Sequence, residues 1–203
     1  MSLYQRYFAH SLAWSDDAQH RLYGDRKRQL FSDLSGTVVE IGPGTGVNLP
    51  YLPAALRWIG LEPNPHMHDY IREQLAGRDL DAEIRSDPAQ ATGLPDACAD
   101  AVISTLVLCS VPDVPEALAE MKRILKPGGR LLFIEHVAAP AHSWFCTCQH
   151  AIEPLWRRLA DGCHPDRDTE AALRAAGFSD LTVERFRTGL PVVSPHILGT
   201  ARK

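Results

Sequence analysis

The chain has 203 residues, 45% of them hydrophobic and 23% charged, with a formal net charge of −4 at pH 7. That is the composition of a globular domain with length for one substantial core, and it offers no broad basic field to nucleic acid. Five scattered cysteines argue against a disulfide framework, and the opening MSLYQRYFAHSLAWSDD has neither an apolar signal core nor the roughly 20 apolar residues of a membrane span, so a cytoplasmic protein without a span is expected.

Residues 1–34 read as helical, with Leu30, Phe31 and Leu34 on one face of DRKRQLFSDL. TVVEI (37–41) is a short β-branched run that stops at glycine, the pattern of a buried strand. RWIGLE (57–62) gives a second strand, stopped by Pro63; AEIRS (82–86) gives a weaker third. DAVISTLVLCS (100–110) contains a fourth that is apolar on both faces. VPEALAEMKRILKPGG reads as a helix, with Leu118, Met121, Ile124 and Leu125 at helical spacing and Pro127, Gly128 and Gly129 closing it. RLLFIEHV (130–137) is a fifth strand, and residues 140–165 read as irregular and rich in Trp, His and Cys. RDTEAALRAAGF is a helix ending near Gly177, and LTVERFRT and VVSPHILGTARK are two last strands. Strands alternating with helices predict an α/β domain over 1–203 with a parallel sheet and right-handed crossovers. The last two strands have no helix between them, which predicts an antiparallel hairpin at one edge.

VVEIGPGTGVN (38–48) raises the question of a ligand. A strand running into Gly42, Gly44 and Gly46 makes a tight turn at the carboxyl edge of the sheet, where ligands of open α/β sheets sit and where main chain without a Cβ admits close approach. No Lys follows, so the loop is not a phosphate-binding P-loop. The dinucleotide pattern G-x-G-x-x-G fails in both frames, since its sixth position is Val47 or Leu49. Pro50 and Pro53 leave room for only a short helix, hence a weak pyrophosphate site. Glu40 precedes the loop and Glu62 ends the second strand. An acid at that second place suits paired ribose hydroxyls; acids repel a pyrophosphate and suit a cation.

VEIGPGTG followed by LEPNP resembles the class I S-adenosylmethionine (SAM) dependent methyltransferases, as do SDPAQATGLPDACAD, ISTLVLCSV and LKPGGRLLF. The resemblance spans 26–137. It implies a Rossmann-like seven-stranded, mostly parallel sheet with a C-terminal antiparallel hairpin, helices on both faces, N-terminal helices over 1–34 and a lid insert after strand five. It also implies SAM as cofactor and S-adenosylhomocysteine as product. By that resemblance Glu62 holds the ribose, next to Pro63. Gly42, Pro43 and Gly44 line the cofactor, with Gly46 and Asn48 in the same loop, and Glu40 supports the amino group through the loop or a water. Asp87 reads adenine; Pro88 has no N–H to give, so Ala89 supplies the donor. Thr105 and Leu106 lie beside the sulfonium.

RKRQLFSDL, TLVLCSV, EHVA, DGC and PHILG further resemble the thiol S-methyltransferase branch of the methyltransferase-like proteins, whose acceptors are small, rather apolar thiols. S-methylation is therefore expected. Carbon, oxygen or nitrogen methylation of a quinone, phenol or other small metabolite is the alternative, and a SAM-binding protein without turnover is a reading from another class. A free thiol has a pKa of about 8.5, so a base near the acceptor helps at neutral pH. His136, at the end of strand five, is the candidate for that role, against a structural histidine bonded to a neighbouring loop. The lid, 138–165, is expected to contact the acceptor through His142, Trp144 and His150, with Trp156 and His164 nearby. Tyr4, Tyr7 and Phe8 close the other side, and Arg28 reaches the cofactor carboxylate. His142, Cys146 and His150 recur every four residues and would share a helix face, a zinc set if Cys163 or His164 joins it. Lining of the acceptor pocket explains them equally, and no metal is expected. The only partner foreseen is the small-molecule acceptor, with a monomer favoured.

Overall fold

A computed structural model describes residues 3–203. Two helices open it, α1 (Leu3–Trp14) and α2 (Asp16–Phe31), and then β1 (Gly36–Ile41) and β2 (Leu56–Leu61) follow with only a short 3-10 turn between them. Next come α3 (His68–Leu75), β3 (Asp81–Arg85), β4 (Ala99–Thr105), α4 (Val114–Ile124) and β5 (Leu125–His136). The chain ends with α5 (Trp144–Leu159), α6 (Thr169–Ala175), β6 (Ser179–Arg187) and β7 (Pro195–Arg202).

The seven strands form one sheet in the order β3-β2-β1-β4-β5-β7-β6. The first five are parallel; β7 lies antiparallel between β5 and β6. β1 sits at the centre of the five parallel strands, paired to β2 on one side and β4 on the other, which is the point where strand order reverses and where such sheets open a crevice. Alternate residues of the central strands feed two cores. Val39 and Ile41 pack with Leu118, Met121 and Ile124 of α4 on one face, while Val38, Trp58 and Ile103 pack with Phe31 of α2 and Leu34 on the other. Each such side chain contributes roughly 1.5–3 kcal/mol by leaving water.

The strands lie within a residue or two of where the sequence puts them, apart from β5 and from β7, which begins three residues later than expected, at Pro195. Helix α4 stops at Ile124, and the segment through Pro127, Gly128 and Gly129 runs on as the start of β5, with Gly128 at φ 77. Two helices were not foreseen. α3 fills the β2–β3 crossover, and α5 occupies most of 140–165, capped by Ser143, whose Oγ accepts from Cys146 N–H at 3.1 Å. Pro154 inside α5 and its mixture of Cys, His and Trp mask the helical period. The β3–β4 connection holds no helix, and Glu120 of α4 anchors it, accepting from Thr92 N–H at 2.9 Å and Thr92 Oγ1 at 2.6 Å.

Lys27 of α2 is an unusual core member. It is fully buried, its Nζ has no hydrogen-bond partner among the described residues, and it lies 5.6 Å from the Tyr51 ring centroid. Burial pulls its pKa down to about 8 against the attraction of Glu40 and Asp16. Among the described residues no helix is long and apolar enough to cross a membrane.

Candidate functional site

The loops after β1, β2, β3 and β4 surround a cavity of about 580 Å³ at the carboxyl ends of the strands. α1 roofs it with Gln5, Phe8 and Leu12, and Asp161, just beyond α5, closes one side. The glycine loop bends sharply, with Gly42 and Gly44 both at φ 58. A Cβ on Gly42 would come 2.8 Å from Val107 Cγ2, and one on Gly44 would come 3.1 Å from Leu12 Cδ2. The bare main chain is therefore required by the wall as well as by the turn. Leu106 adopts φ 57 on the opposite wall, a left-handed conformation that a leucine rarely takes and that collects at binding sites.

Glu62 lines the cavity and is held by main chain. Gly44 N–H donates to its Oε2 at 2.9 Å and Asn64 N–H to its Oε1 at 2.9 Å. Each carboxylate oxygen keeps a lone pair for a further donor. Burial pushes its pKa up against those two bonds. Glu40 does not line the cavity. Its Oε1 accepts from Asn48 Nδ2 and its Oε2 from Trp58 Nε1, both at 2.8 Å. Asn48 Nδ2 also donates to Thr105 Oγ1 at 3.1 Å, and both of those residues face the cavity, so Glu40 acts on it through Asn48. Burial raises the Glu40 pKa despite its two donors.

Of the residues singled out for the cofactor, Gly42, Pro43, Gly44, Asn48, Glu62, Pro63, Pro88, Ala89, Thr105 and Leu106 meet at this cavity. Gly46 lies behind the turn, its N–H donating to Pro43 O. Asp87 is turned aside, accepting from Arg85 Nε at 2.7 Å, and leaves that wall to Pro88, Ala89 and Gln90. His136 is outside the cavity. It is 4% exposed, with Nε2 3.1 Å from Cys163 Sγ and its ring beside that of His196. No residue of β5 lines the opening, so the end of that strand, and His136 with it, stands behind the wall.

The residues expected at the acceptor divide similarly. Tyr4 is near the cavity without lining it; its hydroxyl accepts from Asp161 N–H at 2.9 Å. Tyr7 and Trp144 point to solvent, at 71% and 77% exposure. His142 is exposed, and His150 lies at the surface with Nδ1 2.5 Å from Asp166 Oδ2 and Nε2 3.4 Å from Cys146 Sγ. Arg28 pairs with Asp25 at the surface of α2. The sequence reading missed Asp161, whose pKa burial raises. It sits at φ 48 before Gly162 at φ 81, and the Asp-Gly pair is a legible turn signal, but only the path of α5 brings that turn to the cavity.

The donor set fits SAM. Glu62 and Asp161 are the titratable side chains of the described lining, two acids facing one space that favour a cation and disfavour a pyrophosphate. The lone pairs of Glu62 suit ribose hydroxyls, and the bare Gly42–Gly44 main chain admits close approach.

Residues 39–133 match the methyltransferase domain family. Human thiol S-methyltransferase TMT1B is 36% identical over 214 residues, an alignment covering 99% of this chain and 88% of that protein. Human thiol S-methyltransferase TMT1A is 36% identical over 191 residues, covering 88% and 78%. Among solved structures, a SAM-dependent methyltransferase from Thermotoga maritima superposes with a TM-score of 0.69 at 22% identity, covering 98% of this chain and 97% of that one. Geranyl diphosphate C-methyltransferase from Streptomyces coelicolor A3(2), solved with S-adenosylhomocysteine, superposes with a TM-score of 0.70 at 18% identity, covering 90% and 77%.

Proposed function

This chain belongs to the SAM-dependent methyltransferase family that includes the thiol S-methyltransferases, and from that premise we propose that it transfers the methyl group of SAM to the sulfur of a small, apolar thiol. The observation that carries the reading is the cavity itself: an acid fixed by two main-chain donors on one wall, and Phe8, Leu12, Val107 and Val111 supplying apolar surface beside it. Apolar walls exclude water and suit an apolar acceptor.

SAM supplies an electrophilic methyl group on a sulfonium. This chain's residues hold it and place the acceptor. Glu62 accepts from the ribose hydroxyls, and the Gly42–Gly44 main chain borders the methionine end. Ala89 offers an N–H beside Pro88 for the adenine, and Thr105 and Leu106 border the reacting sulfur. The acceptor sulfur would take the methyl carbon as that carbon's bond to the sulfonium breaks and the thiol proton leaves, giving a thioether and S-adenosylhomocysteine. Of the two carboxylates at the cavity, Glu62 is engaged by the ribose and Asp161 is left to take that proton, in the role foreseen for His136. Residues 138–165 act as the lid, since α5 leads into Asp161. Five free cysteines suit a reducing compartment.

The test is an acceptor screen. The protein is incubated with SAM and separate sets of alkyl and aryl thiols, phenols, quinones and amines, with thioether and S-adenosylhomocysteine measured by mass spectrometry. Turnover of apolar thiols is expected. Turnover of phenols, quinones or amines with thiols left untouched overturns the acceptor assignment, and SAM that binds without any product overturns catalysis.

A further inference from the structure

Stretches that are far apart in the chain, TLVLCSV, EHVA and DGC, meet directly behind the cavity wall and bring Cys109, His136 and Cys163 together. We propose that these three side chains form a binding site for one closed-shell thiophilic cation, with zinc as its representative. The ligand atoms, two Sγ and one imidazole nitrogen, all lie within 4.8 Å of one another. Tetrahedral zinc, with bonds of about 2.3 Å to sulfur and about 2.1 Å to nitrogen, needs neighbouring ligand atoms about 3.6–3.8 Å apart, so adjustments within rotamer freedom close the site.

The surroundings are those of a built site. All three residues are buried. His136 directs Nε2 to Cys163 Sγ at 3.1 Å, and its Nδ1 has no hydrogen-bond partner among the described residues, so the polar contact of this imidazole is to sulfur. Trp156 Nε1 lies 3.4 Å from Cys163 Sγ, and an indole N–H can only donate, so the sulfur is held as an acceptor. The ligands come from three pieces already fastened together. His164 N–H donates to Cys109 O at 2.9 Å, and Arg167 Nη1 donates to the carbonyls of Leu108 and Val111 at 2.7 Å each.

Charge balances. A divalent ion displaces the two thiol protons to solvent, and two thiolates with a neutral imidazole leave the buried site uncharged. One tetrahedral position remains for water or an added thiol. Because Val107, Ser110 and Asp161 line the cavity, the ion would tie the turn after α5 to the cavity wall. This set differs from the histidines and cysteine of α5, where Cys146 and His150 meet at the surface. The assignment stands apart from the identity of the methyl acceptor.

The full chain, kept reduced with a phosphine under nitrogen, is titrated with Zn²⁺ against a chromophoric chelator, and separately with Co²⁺. One equivalent of zinc is expected, together with a thiolate-to-cobalt charge-transfer band and intense tetrahedral d–d bands. Cys109→Ser and Cys163→Ser should abolish both. His136→Asn should weaken zinc binding by more than the roughly tenfold typical of losing an outer-shell partner. Cys146→Ser and Cys148→Ser should retain the full equivalent. Calorimetric titration with SAM reports whether each variant is folded, and the cobalt spectrum of the unsubstituted chain tests sulfur ligation without any variant. The assignment is overturned by a cobalt spectrum lacking thiolate charge transfer, by zinc affinity unchanged in Cys109→Ser/Cys163→Ser, or by loss of binding in Cys146→Ser. A failed thiol screen with intact zinc binding would strike only the proposed reaction.

Discussion

Glu62 is oriented before any ligand arrives, because Gly44 and Asn64 each give it an N–H. Its substitution therefore separates binding from folding. Glu62→Gln removes the negative charge and turns an amide NH₂ toward one of those donors. Charge-assisted bonds are worth about 1.5–3 kcal/mol, so SAM affinity should fall roughly tenfold or more by calorimetry. Unchanged affinity would remove Glu62 from the site. Asp161 calls for a different experiment. Burial holds its pKa above the ordinary aspartate value, so it is still protonated, and unable to accept a proton, at a pH where a free aspartate has ionised. Turnover should rise with pH through that raised pKa. Asp161→Asn should slow weakly acidic alkyl thiols more than acidic aryl thiols, which ionise unaided. Equal slowing of both would leave Asp161 a positioning role. Residues such as Glu62, Gly42 and Gly44 were legible because a strand end fixes where its loop begins. His136 and Asp161 were not, since which strand ends border the opening and the path of a later helix decide which one reaches it.

At the scale of elements, the site depends on two side-chain ties that no periodicity reveals. Gln149 of α5 is one: its Oε1 accepts from Ala139 N–H at 2.7 Å, and its Nε2 donates to the carbonyls of Pro165 and Val192 at 2.9 and 2.8 Å. Gln149→Leu would leave those main-chain groups without partners, each worth about 1–3 kcal/mol when buried. A loss of roughly 2–4 kcal/mol is expected from the urea midpoint, with faster hydrogen exchange at Ala139. Glu120 is the other tie. Its bonds to Arg123 hold its pKa at about 2, helped by the two bonds from Thr92 and opposed by burial. A carboxylate whose folded pKa is depressed gives stability that is present above its unfolded value of 4.5 and lost as pH falls toward 2. Glu120→Gln should thus flatten the acid limb of the stability curve over that window and loosen the loop that carries Pro88 and Ala89. An unaltered acid limb would mean the loop is held by something else. The strands were readable because each is a short apolar run cut by Gly or Pro. α5 was not, because Pro154 and the exposed Trp144, Leu155 and Leu159 blur its apolar face.

Across the whole molecule, the cavity is assembled from both ends of the chain order: strand-end loops below and α1 above. α1 is joined to the rest at the cavity rim, where Asn64 Nδ2 donates to Gln5 O at 3.1 Å and Asp161 N–H to the Tyr4 hydroxyl. SAM should therefore protect α1 from proteolysis as well as stabilise the fold. At a hundredfold excess over Kd the linkage is about 2.7 kcal/mol, readable as a rise in melting temperature. A rise in melting temperature with no protection of α1 would show that the roof takes no part in binding. Strand count and the parallel-then-antiparallel sheet followed from alternation along the sequence, whereas the closing of the cavity by α1 depends on contacts between segments that share no pattern.

Lys27 gives the core an uncommon response to alkali. Its pKa is about 8 in the fold and 10.5 in the open chain, so the unfolded form binds more protons between those values. By linkage, stability gains from this group as pH climbs from 8 toward 10.5, and its burden is fully present below 8. Lys27→Met should be more stable at neutral pH by on the order of 1–3 kcal/mol, with the advantage fading in that alkaline window. An ammonium lodged among aromatic rings thus makes the native state easier to keep when it sheds its proton, an alkaline hardening set by one side chain.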